Sequence, residues 1–202
     1  MLFRSETLKR ELPIDNIYLN FLTPLPGCED HKKMLAAGVW MDPDLNKYDL
    51  THAVTHHPRM SEADWNEAYL AAHASFYCWD HMETVVRRMV ALRSNAKYTT
   101  VNRLLAYRES IRLEGVQKLE GGLWRIRRRR QRRPDLPLEP ALTFYPRMFG
   151  RNARTAVGLI ATFVRLRLML ARILRDPACF DYADDAIRTA AAIPCRRLYH
   201  GQ

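Results

Sequence analysis

The sequence has no grouped cysteines. Its four thiols, Cys28, Cys78, Cys179 and Cys195, are far apart and form neither a CxxC nor a CxxxCxxC motif. That spacing argues against a disulfide framework and fits a reducing compartment. The first ten residues contain Arg4, Glu6, Lys9 and Arg10 and no apolar core, so no secretory signal is read and a cytoplasmic location is expected. Long hydrophobic runs are missing as well. In the last long helical stretch the longest uncharged run covers residues 155–164, about half of what crosses a bilayer. No RNP pair, GXXG loop or zinc-finger spacing is present. Strand signals are nearly absent, with one exception at residues 17–22.

What remains is a folded, helix-rich composition. In 202 residues, 48% are apolar and 10% aromatic, enough for one good core and unlike a disordered chain. The net charge is +10, but seven of the nine residues from 125 to 133 are arginine. The excess is therefore local, and the whole chain does not read as a nucleic-acid binder.

In order, residues 5–12 read as the end of a helix that Pro13 breaks, and residues 17–22 as a short buried strand. Thr23-Pro24-Leu25-Pro26-Gly27 ends that strand, because its two prolines forbid ladder donation and helix continuation. A strand that ends on such a turn is how an α/β barrel delivers a loop to its active-site face. Residues 29–37 read as a short helix with Gly38 as its stop. The aromatic and turn-rich residues 39–60 read as an ordered loop. Ser61 with Asp64 resembles a capping box and starts a helix to about Tyr77. Asp80 with Glu83 is expected to cap a second helix, and Thr99 or Thr100 a third that ends near Gly115. Gly121 and Gly122 interrupt the chain before the arginine run, and residues 134–140 form a stiff proline-rich connector. A long helix is expected over residues 150–175, with Arg154, Arg165 and Arg172 on one face. Leu159, Phe163, Leu166 and Leu170 lie on the opposite face. A last short helix is expected over residues 183–193.

Thr7-Leu8-Lys9-Arg10-Glu11-Leu12-Pro13-Ile14-Asp15, followed by Phe21-Leu22-Thr23-Pro24-Leu25-Pro26-Gly27-Cys28-Glu29-Asp30-His31, resembles the last barrel strand of radical S-adenosylmethionine enzymes, in the subgroup that also carries a cobalamin-binding domain. The resemblance continues through Gly38-Val39-Trp40-Met41-Asp42-Pro43-Asp44-Leu45-Asn46-Lys47-Tyr48-Asp49 and His57-Pro58-Arg59-Met60-Ser61. It runs more loosely through Gly121-Gly122-Leu123 and Phe144-Tyr145-Pro146-Arg147. It implies a partial (β/α) barrel in which a [4Fe-4S] cluster cleaves S-adenosylmethionine to a 5′-deoxyadenosyl radical, with cobalamin as a further cofactor. The cluster motif, the Gly-rich cofactor strands and the cobalamin domain are absent here. The expected fold class is therefore mainly α: residues 1–38 are a barrel remnant of helix, strand and short helix, and 39–60 an ordered loop. Residues 61–133 are a helical region, and 134–202 a connector with amphipathic helices. Such a C-terminal portion binds no cofactor alone and is expected to be inactive alone. Its implied partners are the missing barrel portion and, in the intact enzyme, a small-molecule or lipid-precursor substrate. By the same resemblance Thr23, Pro24, Pro26 and Gly27 lie near the adenosine of S-adenosylmethionine. No catalytic residue and no metal ligand is assigned.

Blander readings stand beside these. The 23–27 turn is a rigid corner without a ligand, and Cys28 a helix-start residue. His52, His56 and His57 with Asp49 have metal-like composition, but packing or a substrate cavity accounts for them as well, and His73, Cys78 and His81 straddle a helix junction. The arginine run attracts phosphate, of RNA or of anionic lipid, or is simply solvated. The alternative function is a stand-alone basic helical module on RNA or an anionic membrane surface, peripheral to the membrane. A remnant that folds poorly is the third reading.

Overall fold

The computed structural model describes residues 2–115, 122–124, 126–131 and 136–192. Gly121, Arg125, Arg132, Arg133, Pro134, Asp135, Ile193 and Cys195, named in the sequence reading, lie outside the described residues. Seven α-helices account for most of the rest: α1 (Leu2–Glu11), α2 (Glu29–Ala36), α3 (Glu62–Phe76), α4 (Trp79–Ala91), α5 (Lys97–Glu114), α6 (Ala141–Arg175) and α7 (Asp185–Ala192). The mainly helical expectation holds.

The ends of these helices follow local chemistry. Cys28 precedes α2, and its sulfur accepts the His31 N–H at 3.3 Å. At the other end Gly38 takes φ +65° and donates to Leu35, while Val39 donates to Met34. That is the left-handed stop which glycine makes at no steric cost. Ser61 and Asp64 close a reciprocal capping box on α3.

Three starts differ from expectation. α4 begins at Trp79, and Asp80 with Glu83 makes no cap, because Glu83 is taken by Arg87 and Arg172. α5 begins at Lys97, before Thr99, and Thr100 is buried against the core. α6 begins at Ala141 rather than near 150 and carries Pro146 inside it. A proline so near the start removes one intrahelical bond while the flanking turns continue.

The core lies between α3, α4, α5 and α6. Met82, Val85, Val86 and Val90 recur at three- and four-residue steps on α4, as do Leu166, Met169, Leu170 and Ile173 on α6. Val101, Leu104 and Tyr107 of α5 meet both rows. Of the apolar face read on α6, Leu166 and Leu170 are buried while Phe163 stays exposed. Gly158 lets α6 approach α5: a Cβ there would stand 2.9 Å from the Arg112 guanidinium and 3.1 Å from Leu113. α1 packs on α3 and α7.

Residues 17–22 are not a strand. They run without regular secondary structure, and no strand lies beside them among the described residues; the single bridge there joins Met41 and Thr55. The β-rich composition of this segment acts on packing alone, because a ladder needs a neighbour. Phe21 is 3% exposed, stacks on Tyr69 at 4.6 Å and meets Trp65 edge-on at 5.1 Å. Its N–H donates to Leu50 at 2.9 Å, which ties the segment to the 39–60 loop.

Candidate functional site

The turn after residue 22 forms one side of a cleft of about 200 Å³, lined by Leu22, Thr23, Pro24, Asp30, Lys33, Met34 and Thr55. Phe21 anchors the turn on α3 from below, and the first two turns of α2 supply the facing wall. Thr23 donates from Oγ1 to the Phe21 carbonyl at 3.2 Å, which fixes its rotamer. Thr23 and Pro24 thus share the cleft. Pro26 and Gly27 are exposed and do not line it; Gly27, at φ +89°, makes the corner that leads into α2. Asp30, Lys33, Met34 and Thr55 were not singled out from sequence. Only the three- and four-residue spacing along α2 hinted that the first two and Met34 share a face.

Cleft walls of this kind favour a small, partly apolar group with one hydroxyl contact and charges of both signs at the rim. The volume falls below the roughly 300–1,000 Å³ of ordinary small-molecule pockets. A group as large as S-adenosylmethionine would find one wall here. An iron–sulfur cluster does not fit the described thiols: Cys28 is exposed, Cys179 is buried in the helical core and Cys78 sits between α3 and α4.

The loop histidines separate. His52 Nδ1 lies 2.8 Å from Asp49 Oδ1, His56 stacks on Trp40 at 4.3 Å, and His57 packs on Trp65 at 5.2 Å. Among the described residues no three His, Cys, Asp or Glu side chains are placed to hold a metal ion. His73 lies over Tyr77 and His81 edge-on to Phe76, and burial lowers the pKa of each to about 4. Cys78 lines two cavities, one of about 340 Å³ shared with His73 and one of about 430 Å³ shared with His81. Next to it, the Trp79 ring carries the guanidinium groups of Arg108 at 4.5 Å and Arg165 at 3.8 Å from its centroid.

The described part of the arginine run folds back on α6. Arg129 Nε donates to the Glu139 carbonyl at 2.7 Å, and Arg127–Arg130 face Phe144, Tyr145 and Met148 across a cleft of about 560 Å³. Glu139 also pairs with Arg147. A basic cleft with aromatic walls suits phosphate-bearing ligands.

In comparisons with known proteins, the chain matches no protein family, no curated protein and no solved structure.

Proposed function

We propose that this chain is the C-terminal portion of a cobalamin-type radical S-adenosylmethionine enzyme, with residues 17–60 forming one wall of the active site. The observation that carries this reading is the succession of α1, an irregular segment with β-rich composition, a Thr-Pro-Leu-Pro-Gly turn and α2, with Thr23 and Pro24 on a cleft too small to be a whole site. That order, with residues 17–22 unpaired, supports reading the segment as a last barrel unit without its neighbours. The missing barrel portion supplies the cluster and the remaining walls, and with them the radical chemistry. In this chain Thr23 and Pro24 bound the adenosine end of the cofactor, while Pro26 and Gly27 set the corner. The intact enzyme acts on a small molecule or a lipid precursor in the cytoplasm, and the isolated chain is inactive.

The test is the nucleotide sequence upstream of codon 1. An in-frame or frameshifted CxxxCxxC supports the reading, and its absence sinks it. Anaerobic co-production with that upstream portion should yield 5′-deoxyadenosine, which the chain alone should not.

A second reading rests on the cleft between Arg127–Arg130 and the aromatic start of α6. It makes the chain a stand-alone basic module for RNA or an anionic membrane. Binding that collapses by about 0.2 M salt would reduce it to nonspecific phosphate attraction.

A further inference from the structure

α6 is 35 residues long, about 52 Å at 1.5 Å per residue, and it contains seven arginines and no acidic residue. Its inner face is used: Thr155, Thr162, Leu166 and Ile173 are buried against the bundle. Its outer face is not polar. At about 100° per residue, Leu142, Phe149, Val157, Ile160, Val164 and Leu168 fall within a sector of about 100°, opposite the buried face. All six are exposed, Leu142 at 91%, Phe149 at 75% and Ile160 at 63%. A contiguous apolar stripe of this length on a water-facing helix marks a docking surface.

The arginines identify what docks. Arg147, Arg154, Arg165 and Arg172 form a row on the shoulder between the stripe and the buried face, and all four are exposed. Arg147 and Arg172 pair with Glu139 and Glu83 yet remain 65% exposed, and Arg165 stacks on Trp79. Arg167 and Arg175 lie within the stripe itself. A second copy of the chain would bring the same cations against this row. An anionic bilayer complements both features, taking the stripe into the acyl boundary and the guanidinium groups into the headgroups. Among the described residues no helix is long and apolar enough to cross a membrane. That leaves the in-plane orientation.

We propose that the outer face of α6 docks flat on an anionic lipid bilayer, with Leu142, Phe149, Val157, Ile160, Val164 and Leu168 inserted and the arginine row on phosphate. The docking needs neither cluster nor cofactor, so it stands or falls separately from the radical reading.

The test is flotation of the full chain with vesicles of phosphatidylcholine, with and without phosphatidylglycerol. The chain should float with the anionic vesicles alone, and still do so at about 0.2 M salt, because inserted apolar surface is not screened. Phe149→Glu with Ile160→Glu, and separately Val157→Glu with Val164→Glu, should each weaken partitioning on the order of tenfold or more, with helical circular dichroism retained. If one pair fails to fold, the other decides. Wild-type flotation by both pairs, or no flotation of the parent chain, overturns the proposal. So does tight RNA binding without vesicle binding, or a parent dimer that the glutamate pairs disperse while no vesicle is bound.

Discussion

The Tyr77 hydroxyl holds both backbone polar groups of Ile17, accepting the Ile17 N–H at 3.1 Å and donating to the Ile17 carbonyl at 2.9 Å. It does for this residue what a neighbouring strand would do, from the C-cap of α3. Tyr77 is 1% exposed. Burial, outweighing the Ile17 bond, drives its pKa well above the ordinary phenol value, so the proton that it donates is kept. Tyr77→Phe leaves both backbone groups of Ile17 without this partner and should cost about 1–3 kcal/mol. Urea unfolding checks the loss, and amide exchange at Ile17 should accelerate more than at Val85.

Arg88 ties α1 and the start of α7 to α4. It is 3% exposed, with Nε on Asp184 at 2.7 Å, one terminal nitrogen on the Lys9 carbonyl at 2.9 Å and the other on that of Leu12 at 3.3 Å. Asp184 in turn caps α7 by accepting the Ile187 N–H at 3.0 Å. The cation thus sits at the C-terminus of α1, where the helix dipole favours it. Arg88→Met should cost about 3–5 kcal/mol, since it takes the cation from a partly buried carboxylate and the donor from the Lys9 carbonyl, while Leu12 keeps the Ile14 N–H. Limited proteolysis should cut first between α6 and α7. A variant with parental unfolding and parental proteolysis would show that Arg88 bears none of this load.

Much of this arrangement was legible before the fold was known. The capping box, the Gly38 stop and the periodic apolar residues of α3 and α4 are local signals, each decided within a few residues. Residues 17–22 were misread as a strand for a physical reason: β-branched and aromatic composition reports a preference for a pleated, half-buried surface, while pairing is decided elsewhere in the chain. α6 starts nine residues before the expected 150, with Pro146 in its second turn, where a proline costs one bond. Arg88 and Glu109 gave no signal at all. A charged residue in a periodic helix looks solvated until its partners, 96 residues away for Asp184, are brought to it. The cleft was half-visible: Thr23 and Pro24 from the turn and the α2 face only from its spacing, but Thr55 only from the packing.

Acid should destabilise the fold well above the carboxylate range. His73 and His81 are 5% and 7% exposed, and burial lowers each pKa to about 4 from an ordinary 6.5, with the Arg88 and Lys9 charges adding to the effect at His81. A depressed histidine keeps the folded state neutral while the unfolded chain takes up protons below 6.5. Stability is therefore full above about pH 6.5 and falls between there and pH 4, by on the order of 3 kcal/mol per histidine. Burial raises the Asp184 carboxyl, but the Ile187 N–H and the bond and charge of Arg88 outweigh it and hold the group below its usual value. Its contribution persists until pH falls below the ordinary carboxylate value. Urea midpoints measured across pH 8 to 4 should show the histidine limb first, and His81→Asn should halve it. A flat profile down to about pH 4.5 would contradict the assignment.

The contact between α5 and α6 turns on a carboxylate with no exposure. The Glu109 side chain is 0% exposed, accepts from Thr162 Oγ1 at 2.9 Å and from Arg112 Nε at 2.7 Å, and has Arg108 Nε at 3.4 Å. Thr162 lies on the buried face of α6, so this bond crosses the helix pair beside the close approach at Gly158. Burying the carboxylate is costly, and the bonds from Thr162 and from the half-exposed Arg112 offset that cost. Thr162→Val removes one bond and should cost about 1–2 kcal/mol; Glu109→Ala takes the acceptor from Thr162 Oγ1 and from Arg112, whose side chain is half in water, and should cost about 2–3 kcal/mol. The two losses should not add. Once Glu109 is gone, Thr162 has nothing to donate to across the interface, so Thr162→Val in that background should be nearly neutral. Unfolding of all four proteins in urea gives the coupling directly. Simple additivity would mean that the bond across α5 and α6 is not what holds Thr162 in place.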